Sequence, residues 1–238
     1  MIELAGARPG MTVLDLACGP GNMTRLLAAR VQPAGRVLGV DLARGMIELA
    51  NRKRPRHARF AVMDIEHLGL PDGAFDSAVC GHGFQFAPDL DRALREARRV
   101  LKPTGVLAAS VPAAVRDDSV WELIDRVAYR YLPPAPKAVD ESATRKTVAD
   151  PAAFRAAALD AGFALASVEV VEEEVVWQSA EALVSMCVSW WQCAAQMDSV
   201  DPVVRQSFVA EATAAVRDVY PGVLTTRGRN HVLCARAT

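Results

Sequence analysis

The chain has 238 residues, of which 51% are apolar and 23% charged, and its formal net charge is −1. This length and composition suit one large soluble domain with a substantial core. The near-neutral charge argues against a dedicated nucleic-acid binder. The sequence contains no run of about 18 apolar residues, so it does not indicate a membrane span.

Cysteine content and N-terminal sequence predict a cytoplasmic protein. The five cysteines are odd in number and contain no C-x-x-C pair, which favours reduced thiols over a disulfide framework. The N-terminus shows no secretion signal. No cluster of His, Cys and Asp has metal-ligand spacing, so we expect no metal. Many alanines, and arginine in place of lysine, suggest a high-GC bacterial genome.

The first half of the chain alternates apolar runs with helical patterns. Strands are predicted at residues 13–17, 37–41, 58–64, 75–81 and 106–111, and helices at 22–31, 42–54 and 89–101. Strands that alternate with helices are joined by crossover connections. The pattern therefore predicts a mainly parallel sheet covered on both faces.

The second half is less regular. A helix is predicted at 119–131, a proline-rich loop at 132–146, a helix from Pro151 to a Gly162 C-cap, a strand at 167–177, helices within 180–220 and a last strand at 231–235. Segment 180–197 carries Trp190, Trp191 and methionines. It is either a lid over an apolar ring or lipid-like substrate, or a helix packed on the sheet or across a dimer.

The stretch "VLDLACGPGNMT" (residues 13–24) predicts a nucleotide-like ligand. Gly19 and Gly21 permit a tight turn and close backbone approach, and the next helix presents free N–H groups. Asp41 follows twenty residues later at the end of a strand, where a carboxylate can accept both ribose hydroxyls. A structural glycine turn with incidental acids is the plainer alternative.

Two residues in this stretch disfavour a dinucleotide. The dinucleotide fingerprint has a third glycine where this chain has Thr24. Asp15 would add negative charge beside a pyrophosphate, whereas an acid suits a cationic ligand such as an ammonium or a sulfonium.

Four segments in order, "VLDLACGPG", "GVD…M", "MDIEHLGLPDGAFD" and "ALREARRVLKPTG", resemble the motifs of class I S-adenosylmethionine (SAM)-dependent methyltransferases. Similarity is greatest to the ubiquinone/menaquinone-biosynthesis branch and related natural-product enzymes, over residues 8–111. It implies an α/β fold: a Rossmann-like three-layer sandwich with a mostly parallel seven-stranded sheet, an antiparallel last strand and helical lid insertions. We expect a single domain over 1–238, with a SAM-binding half at 1–111 and substrate-side insertions at 112–149 and 178–230.

The resemblance implies a set of cofactor contacts. Asp15, Ala17, Gly19 and Gly21 would line the methionine part of SAM, Asp41 would hold the ribose, Leu42 and Met46 would pack near the adenine, Asp64 would bind the adenine amino group beside Ile65, and Cys18 and Cys80 would complete the set. For Met46, plain core packing is an equal alternative.

The implied activity is transfer of a methyl group from SAM to an O, N or C atom of a small apolar or aromatic acceptor, with S-adenosylhomocysteine as product. His82 would lie beside the methyl group and is the candidate base. A histidine that merely holds its loop is the alternative. His231 could reach the rim of the pocket.

Two other functions remain open: a SAM- or SAH-bound protein with another role, such as a cyclase or scaffold, and an NAD-dependent oxidoreductase. The expected partner is a small-molecule acceptor, with no nucleic acid and a possible homodimer. Members of this family usually carry some tens of residues of helix before the first strand, whereas the first strand here is predicted at residue 13. We therefore expect an upstream start, a more open site, or cover by a partner chain.

Overall fold

The computed structural model describes residues 1–113, 118–134, 142–189 and 191–237. Its strands are β1 (Thr12–Leu16), β2 (Arg36–Asp41), β3 (Ala58–Val62), β4 (Phe75–Gly81), β5 (Leu101–Ala113), β6 (Leu165–Trp177) and β7 (Leu224–Arg236). Its helices are α1 (Asn22–Arg30), α2 (Arg44–Arg52), α3 (Leu90–Val100), α4 (Asp118–Tyr131), α5 (Ala143–Ala149), α6 (Pro151–Asp160), α7 (Ala180–Ser189), α8 (Trp191–Asp198) and α9 (Pro202–Val219), with a short 3-10 turn at Phe84–Phe86.

The strands form one seven-stranded sheet in the order β3-β2-β1-β4-β5-β7-β6. The pairs from β3 to β5 are parallel. Between β6 and β7, side-chain hydrogen bonds join Arg229 to Glu172 and Arg227 to Glu174. Residue numbers therefore rise along one strand where they fall along the other, and the two strands are antiparallel. The predicted mostly parallel sheet with an antiparallel end is confirmed.

Alternation along β1 explains why helices cover both faces of the sheet. Leu14 and Leu16 are fully buried in one apolar cluster with Leu94 of α3. Val13, on the opposite face of the strand, is buried in another cluster with Leu27 of α1. The sheet is therefore the middle of three layers, as the resemblance implied.

Two elements differ from the sequence prediction. Strand β5 begins at Leu101, which pairs with Phe75, and a register shift precedes the pair of Ser77 with Val106. The predicted "KPTG" turn is this irregularity inside a longer strand. Helix α5 lies where a proline-rich loop was predicted, and its seven residues are too few to show a helical apolar stripe.

The chain divides into two compact units. The first comprises the described parts of 1–113, 141–171 and 230–238, and the second those of 114–140 and 172–229. The second unit overlaps the predicted substrate-side insertions 112–149 and 178–230, although 142–149 belongs to the first. The predicted single-domain boundaries stay a prediction.

The second unit has its own core, and many of the apolar residues described in segment 180–197 pack in it or against it. Leu183, Val184 and Cys187 of α7 are buried with Phe208 and Val216 of α9. This favours the packing alternative for α7 over a substrate lid. Trp190 lies outside the described residues, as does the side chain of Trp191. Within the part of the chain that is described, no helix is long and apolar enough to cross a membrane.

We predict that Gly21→Ala lowers the free energy of unfolding by about 2–5 kcal/mol. Gly21 has a φ of 83°, and a Cβ there would lie 2.7 Å from the Phe60 ring. The backbone strain of an alanine at this φ and the steric overlap of its Cβ with Phe60 therefore add in lowering the free energy of unfolding. Gly73→Ala is the matched control, because Gly73 has a φ of 62° but open space around it. Urea unfolding of both variants tests this, and equal losses would contradict it.

Candidate active site

The order of the strands places a crevice at the carboxyl ends of β1 and β4. The chain leaves β1 for β2 on one side, and β4 lies on the other, so the connections after β1 and β4 diverge at this point. A Cβ on Gly83 would lie 2.5 Å from the Cβ of Ala17, which means that the two loops touch. Gly83 was not identified from the sequence, because glycine is needed at this position only on account of the contact with Ala17.

Both loops begin with a strained residue. Ala17 has a φ of 52° and His82 a φ of 56°, and they alone have positive φ among the described residues other than glycine. Each such conformation costs on the order of 1–3 kcal/mol and persists only where surrounding contacts impose it. Strain is thus concentrated where open α/β sheets bind ligands.

The Asp41 carboxylate is held by the backbone at the end of β2. Gly19 donates its N–H to Oδ2 at 2.8 Å, and Ala43 donates its N–H to Oδ1 at 2.9 Å. A carboxylate oxygen accepts two hydrogen bonds, so each oxygen keeps one free position. Asp41 is half-buried and fits a vicinal diol such as the two hydroxyls of a ribose.

Apolar side chains lie exposed next to this carboxylate. Leu42 is 71% exposed and Met46 is 41% exposed, although both are large and hydrophobic. The exposure of Met46 argues against the core-packing alternative. At the end of β3, Asp64 accepts the Glu66 N–H through Oδ1 at 2.9 Å, and Ile65 is half-buried. The Met63 N–H donates to the Asp41 carbonyl at 3.0 Å, so the ends of β2 and β3 are adjacent, and these apolar side chains and the Asp64 acceptor are of the kinds that suit an adenine.

His82 is exposed, and three contacts hold it in place. Its N–H donates to the Ser110 carbonyl at 2.8 Å, and its carbonyl accepts from Gln85 Nε2 at 2.8 Å. Its ring Nε2 lies 2.9 Å from Asn230 Oδ1. Sequence reasoning missed Asn230, which is 148 residues away along the chain. His231, the next residue, is buried and contacts the Val148 carbonyl through Nδ1 at 2.8 Å, so the expectation that it reaches the rim is wrong.

Comparison with known proteins gives this site a family. Residues 14–109 match a family described as a methyltransferase domain. These residues contain the glycine loop, Asp41, Asp64 and His82. They form a class I methyltransferase domain. The predicted resemblance is confirmed for this part of the chain, and SAM is the cofactor that goes with the domain.

Two curated relatives and one solved structure illustrate the similarity. The chain is 33% identical over 155 residues to ubiquinone/menaquinone biosynthesis C-methyltransferase UbiE of Hydrogenovibrio crunogenus, covering 63% of this chain and 61% of the relative. It is 38% identical over 112 residues to 2-phytyl-1,4-naphtoquinone methyltransferase of Trichormus variabilis, covering 45% and 49%. The chain thus spans about half to three fifths of the length of these relatives. YcgJ of Bacillus subtilis shares the fold, with a TM-score of 0.60 at 21% identity over 100% of this chain and 96% of that one.

Within the methyltransferase domain, Asp15 is placed differently from its predicted role. Its side chain is 1% exposed and accepts a hydrogen bond from Thr24 Oγ1 at 2.5 Å. Burial raises the pKa of this carboxyl to about 7, although the Thr24 hydrogen bond lowers it. The side chain therefore has almost no surface for contact with SAM and carries only a partial charge near neutral pH. Asp15 is therefore not the free acid beside a sulfonium that the sequence suggested.

Cys18 and Cys80 are also buried. Cys80 has no exposed surface, and burial raises the pKa of its thiol to about 12; burial raises the pKa of Cys18 as well. Both thiols are therefore neutral and pack inside the methyltransferase domain. The Cys80 side chain, with no exposed surface, is therefore not available to a cofactor, whereas Cys18 keeps 7% exposure and stays a predicted contact.

Thr24 has a role that sequence reasoning missed. It occupies the place of the third glycine of a dinucleotide fingerprint, and its hydroxyl satisfies the buried Asp15 carboxyl. Among the residues that the structure covers, no group of three or more His, Cys, Asp or Glu side chains is arranged to hold a metal ion.

We predict that Asp15→Asn changes the pH dependence of stability. The folded state keeps the Asp15 proton to about pH 7, whereas the unfolded chain loses it near the ordinary pKa of 3.8. The folded state therefore binds more protons between these values, and wild-type stability falls as pH rises from about 4 to 7. Asparagine removes this contribution.

Urea unfolding at pH 4.5, 6 and 8 measures the effect as variant minus wild type. This difference cancels other titrating groups, and we expect it to move in favour of Asp15→Asn as pH rises, at about 1.4 kcal/mol per unit of pKa shift. A difference that is constant across the three pH values would contradict the buried, protonated carboxyl.

Proposed function

We propose that this protein transfers the methyl group of SAM to an O, N or C atom of a small-molecule acceptor, an apolar or aromatic metabolite. The observation that carries the proposal is Asp41. Its carboxylate is oriented by one backbone N–H on each oxygen and retains two acceptor positions for a ribose diol. The relatives named above are methyltransferases, which supports methyl transfer over a cyclase, a scaffold or an NAD-dependent oxidoreductase.

The residues of the crevice would divide the binding of SAM among them. Asp41 would accept the ribose hydroxyls, Leu42 and Met46 would cover the adenine with Ile65, and Asp64 would accept from the adenine amino group. The backbone of residues 17–21 would follow the methionine part, since Gly19 has open space where a side chain would point. When bound, SAM supplies an activated methyl group for in-line displacement.

The chain's own contribution to the reaction is positioning and proton transfer. The acceptor must be held in line with the methyl carbon while water is excluded. A phenol or enol acceptor must also lose a proton, and His82 is exposed at the crevice with one ring nitrogen left over from its contact with Asn230. His82 is therefore the base in this proposal.

The class of acceptor is proposed from the relatives. Both curated relatives are named for quinone or naphthoquinone methylation, so a ring with an ionisable hydroxyl or an activated carbon is the acceptor class that we propose. We expect the protein to act in the cytoplasm, and a homodimer remains a prediction.

We predict that Asp41→Asn weakens SAM binding by about 1–3 kcal/mol, or roughly 5- to 150-fold, because an amide cannot accept at both positions. Asp15→Asn is the matched control, since the same change is made one strand away on a buried carboxyl, and we expect less than a threefold effect. Isothermal titration calorimetry with SAM measures both. Equal affinity for wild type and Asp41→Asn would refute the assignment of the ribose site.

A methyl-transfer screen tests the activity itself. The protein is incubated with SAM and a metabolite extract, and products heavier by one methylene are sought by mass spectrometry. We expect methylated quinone- or phenol-like products. Binding of SAM without any methylated product would favour the scaffold or cyclase alternative, and binding of NADH without SAM would favour the oxidoreductase.

With an acceptor in hand, we predict that His82→Asn lowers kcat by about 10²- to 10⁴-fold, the usual contribution of a general base. Asparagine tolerates the positive φ of this position, so backbone strain does not obscure the result. We expect the Kd for SAM to change less than threefold. An unchanged kcat would remove His82 as the base.

A further inference from the structure

The contact between His82 and Asn230 assigns a proton to one ring nitrogen. The Asn230 Oδ1 atom is a carbonyl oxygen and can only accept, so the His82 Nε2 atom at 2.9 Å must donate. A neutral imidazole carries one N–H and one bare nitrogen. With Nε2 protonated, the bare nitrogen is Nδ1.

The burial of Asn230 supports this assignment. Asn230 is 7% exposed and lies on β7, within the same compact unit as His82. A buried amide oxygen that loses its donor incurs a desolvation penalty, so the pair resists rearrangement. Reversing the tautomer would require the Asn230 side-chain amide to turn over, so that its Nδ2 donates to a bare Nε2.

The backbone of His82 is fixed as closely as its ring. The chain there is in the left-handed region at a φ of 56°, and the Ser110 carbonyl and the Gln85 side-chain amide hold its N–H and C=O at 2.8 Å each. Glycine or asparagine would occupy this conformation with less strain. Histidine occupies this position in spite of the backbone strain. Imidazole is the side chain that exchanges protons near neutral pH.

We propose that Asn230 is a positioning residue: it holds His82 as the Nε2–H tautomer and so presents the lone pair of Nδ1 to the acceptor. This inference rests on the proposed function, in which His82 is the base. The amide is suited to the task because it accepts from Nε2–H without adding charge. A carboxylate in its place would favour the protonated imidazolium, which cannot act as a base.

The proton balance follows from this tautomer. As the bond between the acceptor atom and the methyl carbon forms, the acceptor's proton passes to Nδ1. The electron pair of the broken S–CH₃ bond stays on the sulfur of S-adenosylhomocysteine. The resulting imidazolium keeps its Nε2–H bond to Asn230 and releases the Nδ1 proton to solvent, to which the exposed ring has access.

Three variants of the full chain test the inference. Asn230→Leu removes the acceptor at similar volume, and Asn230→Asp keeps an acceptor oxygen. His231→Gln is the matched control on the next residue of β7, because its side chain is buried against the Val148 carbonyl rather than at His82. If Asn230→Leu does not fold, Asn230→Ala replaces it.

The first readout needs no acceptor. Long-range ¹H–¹⁵N spectra of the four histidines, recorded at a pH where the rings are neutral, report which ring nitrogen carries the proton, and the His82 signals are those missing from His82→Asn. We expect a pure Nε2–H tautomer in wild type, Asn230→Asp and His231→Gln, and a mixture in Asn230→Leu. A wild-type Nδ1–H tautomer, or an unchanged tautomer in Asn230→Leu, overturns the proposal.

The second readout is turnover with the acceptor found in the screen. We expect Asn230→Leu to lower kcat 10- to 100-fold with a Kd for SAM within threefold of wild type. Asn230→Asp should retain kcat at high pH, with the acid limb of its pH–rate profile moved to higher pH. A mixed tautomer with unchanged kcat overturns the positioning role. Failure of His82 as the base is recognised separately, by full turnover in His82→Asn, and failure of methyl transfer by the absence of any methylated product in the screen.

Discussion

The hydrogen bond from the Gly19 N–H to the Asp41 carboxylate is the constraint on which the candidate site depends. It joins the loop after β1 to the end of β2, two strands that are already paired in register from Thr12 with Arg36 onward. Because Ala43 binds the other oxygen, the carboxylate cannot rotate. The same group therefore shapes the glycine loop and, in the proposed function, would offer its remaining acceptor positions to a ribose.

The far side of the crevice is built by contact rather than by hydrogen bonding. Gly83 packs against Ala17, and a side chain at Gly83 would collide with both Ala17 and the Cys80 thiol. Ala17 and His82, which precede and flank this contact, both have positive φ. Strain at these two residues is maintained by the rigid parallel strands beneath them, and it brings the candidate base to the loop that would bind SAM.

Burial changes the chemistry that a motif suggests. The acid of "VLDLACGPG" is a conspicuous charge in the sequence, yet in the fold Asp15 is enclosed between the sheet and α1 and hydrogen-bonded to Thr24. The penalty of desolvation exceeds the gain from the hydrogen bonds to the side chain and backbone of Thr24, and the pKa rises to about 7. Asp41, in contrast, remains half-exposed and keeps free acceptor positions. Asp15 and Asp41 thus differ in pKa and exposure because only Asp41 reaches the surface.

The sequence by itself determined the order of strands and helices through residue 111, the parallel sheet, and the location of Gly19, Asp41 and Asp64 at strand ends. These features follow from local periodicity and from the rule that parallel strands end at one edge. Only the tertiary structure decided that Asp15 and Cys80 are buried, that Gly83 lies against Ala17, and that Asn230 reaches His82. Each of these depends on which distant segments become neighbours, and local patterns carry no record of such pairings. Helix α5 was missed because its seven residues are too few to show an apolar stripe, and of β7 only residues 231–235 were predicted as strand.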